Sequence, residues 1–145
     1  MKVSGSGLTI EQGDESLAEL LESQLLISLR NDLQQSLNTD FTLSAKSTEG
    51  EVIGGLVAST SYSWLLVKVV WVAECQRGGG IGRSLMNAAE AKAKELDCHS
   101  VWLDTSNPSA KHFYSRLGYE IFGKLENSEE QFPAIHCRWF MKKAL

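Results

Sequence analysis

The run Gln76-Arg77-Gly78-Gly79-Gly80-Ile81-Gly82-Arg83-Ser84-Leu85 carries the clearest chemistry in this chain. It follows a long apolar stretch, Trp64 to Ala73, and opens an amphipathic one, Ile81 to Leu96. A strand that feeds a glycine turn and then a helix is suited to binding phosphate. The glycines let the backbone approach an anion, and the helix start offers unpaired N–H groups at the positive end of its dipole. Two common phosphate loops fail on spacing. A P-loop needs a glycine, four residues and then Gly-Lys-Ser/Thr. Counting back from Gly82-Arg83-Ser84 puts Arg77 at that first glycine, and Arg83 replaces the lysine. The dinucleotide fingerprint Gly-x-Gly-x-x-Gly fails as well, because Gly78 and Gly80 are followed by Arg83 where the third glycine belongs.

What the loop does contain is Arg-x-x-Gly-x-Gly, from Arg77 to Gly82. A second segment, Asn107-Pro108-Ser109-Ala110-Lys111-His112-Phe113-Tyr114-Ser115-Arg116-Leu117-Gly118-Tyr119, follows it after a strand-like run from Ser100 to Asp104. The first segment resembles the acetyl-CoA pyrophosphate loop of the GNAT N-acetyltransferase superfamily. The second is similar to that superfamily's Asn-x-x-Ala-x-x-Phe-Tyr-x-x-Leu-Gly-Phe hallmark. The two stand in the family's order, and the resemblance runs from about Phe41 to the C-terminus, with weaker matching before it.

The resemblance implies transfer of an acetyl group from acetyl-CoA to a primary amine, by direct attack through a tetrahedral intermediate. On that basis the backbone of Arg77, Gly78, Gly79, Gly80, Ile81 and Gly82 cradles the pyrophosphate, with Arg77 and Arg83 adding charge-assisted bonds. Val70 and Val72 lie where the family's splayed strand edge pairs with the pantetheine arm through its backbone. An N–H there would hold the oxyanion, a donor worth about 2.7–4 kcal/mol in comparable sites. Tyr114 takes the family's general-acid position, protonating the leaving thiolate, whose thiol pKa is about 8.5 by the cysteine reference. Phe113 beside it reads as core. Asn107 can cap its helix and touch the cofactor as well.

The general base stays open. Many relatives carry a carboxylate on the strand before the glycine loop, and here that strand has only Lys68. Glu74, Glu51, His136 or a water relay are the candidates. Trp64 and Trp71 lie seven apart, so on an uninterrupted strand they face opposite sides and only one can join an acceptor wall.

Composition bounds the rest. With 145 residues, 43% of them hydrophobic, the chain reads as one domain over residues 1–145 with a core of its own. A formal charge of −4 argues against non-specific nucleic-acid binding and suits a cationic substrate. No segment reads as a signal peptide, and the apolar run from Trp64 is half a membrane span and interrupted by Lys68. Cys75, Cys98 and Cys137 lack metal-ligand spacing and read as reduced thiols, giving a cytoplasmic expectation with no metal. A homodimer is expected from the family alone. The rival acceptor is a protein or peptide amine, and the rival class is a GNAT module that binds CoA without turnover.

Periodicity places the elements. Leu8-Thr9-Ile10 reads as a strand, and Ser16 with Glu19 as a capping box. Leu17, Leu20, Leu21 and Leu25 make the next helix's inward stripe, continuing through Leu29, Leu33 and Leu37. Strands are expected at Phe41–Ala45, Glu51–Ser59 and Trp64–Val72, forming an antiparallel meander. The following helix is expected to bury Ile81, Leu85, Ala88, Ala89, Ala93 and Leu96. A strand at Val101 and Leu103, a helix capped by Asn107 and ended by Gly118, and strands at Tyr119–Lys124 and Ile135–Lys142 complete the chain. The fold class is α/β (α+β). The resemblance implies a mixed, mostly antiparallel sheet of about seven strands with helices on both faces and splayed parallel strands at the acetyl-CoA loop.

Overall fold

The computed structural model describes residues 2–5, 7–32 and 38–145. The chain divides into two compact units, Met1–Gln35 and Ser36–Leu145. In the first, β1 (Lys2–Gly5) and β2 (Leu8–Glu11) form an antiparallel hairpin, with Gly5 opposite Leu8. Helix α1 (Glu15–Asp32) follows. Its cap is Asp14 rather than Ser16: Asp14 Oδ1 accepts from Leu17 N at 3.1 Å and from the Ser16 hydroxyl at 2.7 Å. Ser16 already lies inside the helix, whereas Asp14 precedes it and accepts at its start, and those bonds hold the Asp14 carboxyl below its ordinary pKa. The helix buries none of its residues, so the leucine stripe expected to face inward is exposed. The expected continuation through Leu33 and Leu37 lies outside the described residues.

The second unit is a six-stranded sheet in the order β3-β4-β5-β6-β8-β7. Its strands are β3 (Asp40–Lys46), β4 (Val52–Ser61), β5 (Trp64–Val72), β6 (Ser100–Thr105), β7 (Glu120–Glu126) and β8 (Cys137–Ala144). The meander β3-β4-β5 forms as its alternation predicts. Helix α2 (Ile81–Glu95) is the crossover that lets β6 lie parallel to β5, and α3 (Pro108–Arg116) leads from β6 toward β7. Every other pairing in the sheet is antiparallel.

One core holds this unit together: Leu56 and Ala58 from β4, Leu65 and Val67 from β5, Leu85, Met86, Ala89 and Ala93 from α2, Val101 and Leu103 from β6, and Met141 from β8. The buried stripe of α2 is rotated from the expected one. Met86 and Glu90 are buried while Ala88 is exposed, because Glu90 finds a cation inside: Lys143 Nζ lies 2.6 Å from its Oε1.

Two details of β5 position the site. Its parallel pairing with β6 runs through Trp64↔Ser100, Leu65↔Val101 and Leu66↔Trp102 and stops there. Two residues on, Lys68 is an extra residue in the ladder, since Ala58 faces Val67 but Val57 faces Val69. A bulge increases local twist and bends its strand, and here the bend falls where β5 leaves β6. It also shifts the alternation: Trp64, Leu66, Val69 and Trp71 share the face opposite to buried Leu65 and Val67. Trp64 and Trp71 therefore lie on one face, correcting the expectation drawn from an uninterrupted strand.

Candidate active site

The cleft between the parting strands β5 and β6 opens toward their carboxyl ends, and the glycine loop follows one lip. After Val72 the chain is tied down by Ala73 N–H donating to Ile53 O at 2.8 Å, then makes a single 3-10 turn, Glu74–Gln76. Arg77 is extended, and its Nε–H donates to Val72 O at 3.0 Å. The side chain expected to reach phosphate thus also fastens the loop to the end of β5, leaving its terminal nitrogens for an anion. Gly78 and Gly80 stand at φ of 85° and 89°, left-handed backbone that side chains rarely adopt. A Cβ at either position would meet nothing within 4 Å. The space beside them is free, so this is a cradle that side chains would fill.

Gly80 is the N-cap of α2, and the Ser84 N–H closes the first helical turn onto Gly80 O at 3.0 Å. The N–H groups of Ile81, Gly82 and Arg83 precede that bond and are the orphan donors with which a helix begins. Donors so placed, at the positive end of the helix dipole, are suited to an anion. Arg83 is exposed one residue behind Gly82. Gly82 serves packing: a Cβ there would lie 3.2 Å from Phe113 Cζ, so its absence lets α2 and α3 approach.

A residue that sequence reasoning passed over, Gly54 of β4, sets the same helix down on the sheet. A Cβ on it would come within 3.0 Å of Trp71 O and 3.1 Å of Ile81 Cγ2. The signal was present, since a glycine inside a strand marks close approach of another backbone. Val70 and Val72 pack their side chains against the core, which leaves their backbone for the cleft.

The other lip is β6 and the start of α3. Asn107 caps α3 with Oδ1 accepting from Ser109 N at 2.9 Å, which leaves Nδ2 for a ligand. Tyr114 is buried, its ring edge-on to Phe113 at 5.2 Å and to Tyr119 at 5.9 Å. Burial pushes its phenol above the ordinary value, so it holds its proton throughout the neutral range. Phe113 packs against the core without being fully enclosed.

The base candidates separate. Lys68 is exposed at the bulge, Glu74 opens the 3-10 turn, and Glu51 is held in a tight turn by its N–H donating to Ser47 Oγ at 3.2 Å. Beyond β6, the Ser106 hydroxyl lies 3.3 Å from His136 Nε2, and Arg138 Nε–H donates to Asp104 Oδ1 at 2.9 Å. Neither contact was foreseen, because each joins residues 30 or more apart in sequence. Among the described residues no group of three or more His, Cys, Asp and Glu side chains could hold a metal ion, and no helix is long and apolar enough to cross a membrane.

Comparison with known proteins agrees with this fold. Residues 11–119 match the Acetyltransferase (GNAT) family. An acetyltransferase of Agrobacterium fabrum is 35% identical over 91 residues, covering 63% of this chain and 66% of that protein. Blasticidin-S acetyltransferase of Streptomyces morookaense is 40% identical over 73 residues, covering 50% of this chain and 54% of that protein. The matched parts thus span between about half and just under two thirds of those relatives' own lengths. The crystal structure of an acetyltransferase from Bacillus cereus superposes with a TM-score of 0.84 at 27% identity, over 94% of this chain and 96% of that one.

Proposed function

The chain belongs to the GNAT acetyltransferase family, and on that premise we propose that it moves the acetyl group of acetyl-CoA to a primary amine of a small molecule. The observation that carries the proposal is the coincidence of three features at one end of the sheet. The parallel pair β5–β6 parts after Leu66 and Trp102, a glycine cradle follows β5, and a buried tyrosine stands on the helix that follows β6.

Acetyl-CoA supplies a thioester, an acyl donor whose carbonyl accepts a nucleophile and whose sulfur leaves. The N–H groups from Gly78 to Arg83 bind and orient the pyrophosphate. The backbone of Val70 to Val72, freed from β6, offers its polar groups to the pantetheine arm as an added strand. An N–H of that segment stabilises the oxyanion of the tetrahedral intermediate. Tyr114 then gives its proton to the departing sulfur, a transfer favoured because a phenol kept protonated by burial faces a thiolate. A small-molecule acceptor is supported by the blasticidin-S relative, and a cationic one by the formal charge of −4.

Thermal unfolding with acetyl-CoA, against ATP and NAD as controls, tests the co-substrate. Ligand at 100 times its Kd stabilises by about 2.7 kcal/mol. A shift specific to acetyl-CoA, followed by release of free thiol when amines including blasticidin S are supplied, is the expected result. No shift at millimolar acetyl-CoA would overturn the proposal.

A further inference from the structure

We propose, resting on the acetyl-transfer function above, that His136, held by Ser106, is the group that takes the proton from the incoming primary ammonium. The strand before the glycine loop bears no carboxylate, and the acids nearest to it, Glu51 and Glu74, sit in tight turns. Ser106 is the first residue beyond β6, the second lip of the cleft, and directly precedes Asn107, the cap of the helix that carries Tyr114. Its hydroxyl at 3.3 Å from His136 Nε2 therefore fixes an imidazole at the carboxyl end of β6, the end at which the cleft opens. In the tautomer that donates Nε2–H to Ser106, Nδ1 keeps a lone pair to receive a proton.

The loop that carries His136 is braced from both sides. Asn127 N–H donates to His136 O at 2.8 Å, His136 N–H to Pro133 O at 3.3 Å, and Asn127 Nδ2 to Pro133 O at 3.0 Å. Ile135, a β-branched residue, is held at φ 59° immediately before it, the type of backbone strain that gathers at functional sites. The charged groups on the neighbouring elements are largely matched. Asp104 of β6 binds Arg138 of β8, Lys124 and Glu126 of β7 pair at 3.3 Å, and Lys111 of α3 lies 4.4 Å above the Trp139 ring. Lys142 of β8 lies 5.8 Å above the Phe122 ring and Lys143 binds Glu90, while Arg116 and His112 of α3, Glu120 of β7 and Glu129 and Glu130 of the loop are exposed. Glu126 and Glu129 also line a hollow of about 440 Å³ beside Ile135. Glu129, with Glu126 already shared with Lys124, offers that hollow a carboxylate for an ammonium group, and Ile135 in its wall directly precedes His136.

The protons balance. The ammonium gives one to His136, which passes it to solvent, and the neutral amine attacks the thioester carbon. The nitrogen–carbon bond forms and the carbon–sulfur bond breaks. Sulfur takes the Tyr114 proton, and the acylated nitrogen gives up its surplus proton to restore the phenol. The net products are amide, free thiol and one proton.

The test is the His136→Gln variant, assayed by thiol release with a primary amine across pH 5 to 9, with His112→Gln as a control expected to match the parent. Loss of kcat/KM by about 100-fold, disappearance of the acidic limb that an imidazole imposes, partial rescue by added imidazole and an unaltered acetyl-CoA thermal shift are expected. A variant with the parent's rate and pH profile overturns the inference, as does a slower one that keeps the acidic limb. Should the variant fail to fold, the ring resonance of His136, assigned among the 3 histidines, is followed in the parent while the amine is added. Displacement of that resonance supports the inference and its constancy overturns it. A parent that releases no thiol with any amine overturns the acetyl-transfer function itself, and the inference falls with it.

Discussion

Gly82 and Phe113 fix the distance between the phosphate cradle and the candidate acid, because a Cβ at residue 82 would stand 3.2 Å from Phe113 Cζ. The ring would have to give by a few tenths of an ångström, and it is packed edge-on to Tyr114 at 5.2 Å.

Gly82→Ala is therefore expected to change stability little, since a helix gains about 1 kcal/mol from alanine in place of glycine while overpacking costs a similar amount. Turnover should fall several-fold as Tyr114 is displaced. Gly80→Ala should do the reverse in part: the left-handed backbone makes it less stable by about 1–2 kcal/mol, and acetyl-CoA affinity drops. Thermal unfolding with and without acetyl-CoA, beside steady-state rates, separates the two.

Tyr114→Phe should lower kcat by about 100-fold and leave the acetyl-CoA thermal shift in place. In the parent, the acid must be protonated to work. Its phenol is raised by burial above the ordinary 10.0, so no alkaline fall in kcat arising from Tyr114 is expected below that pH. An alkaline limb near pH 8 that vanishes in Tyr114→Phe would contradict this assignment.

Tyr119 is raised further than Tyr114, by burial first and by the nearby Glu90 second. A phenol whose folded pKa exceeds its unfolded one stabilises the fold fully below the unfolded value and ceases to as pH rises through the folded value. Alkaline destabilisation is thus expected to begin at about pH 10 and to lessen in Tyr119→Phe. Chemical denaturation at pH 8 and pH 11 checks it.

Removing one partner of the Glu90–Lys143 pair should be costly, because the carboxylate is buried and the lysine only partly so. Lys143→Met is expected to destabilise by about 3 kcal/mol, and the double variant Glu90→Leu/Lys143→Met to recover much of it. A single variant as stable as the parent would show that the pair adds nothing.

Arg77→Ala unfastens the loop from Val72 O and removes a cation from the cradle. A weakening of acetyl-CoA binding by about tenfold, equivalent to about 1.4 kcal/mol, is expected by titration calorimetry, with no change in the pH dependence of turnover.

Local signals were legible in the sequence. The glycine loop, the Asn107 cap, the terminating Gly118 and the course of β5 follow from spacing and residue type, which act over a few positions. What escaped depends on contacts between distant segments. The bulge at Lys68 is a mismatch between two strands, visible in neither alone, and it moves Trp71 to the face of Trp64. Glu90 reads as a solvent-side residue until β8 brings Lys143 to it. Ser106 and His136 meet only because β6 and β8 are neighbours. The cap at Asp14 in place of Ser16 is a local miss: both are capping types, and the Ser16 hydroxyl donates to Asp14 instead of accepting from the helix start.

The three-pair contact between β5 and β6 also has a mechanical meaning. The second unit's sheet is two leaves, β3-β4-β5 and β6-β8-β7, bound along a spine no longer than Trp64–Leu66 against Ser100–Trp102. Beyond that seam the β5 backbone facing β6 has no ladder partner, and the two leaves are joined by the shared core and by α2 instead. Backbone amides of Val69 to Val72 on the β6 side should then exchange with solvent far sooner than those of Leu65 and Val101. A ligand seated between the leaves would slow that exchange without any change in either leaf.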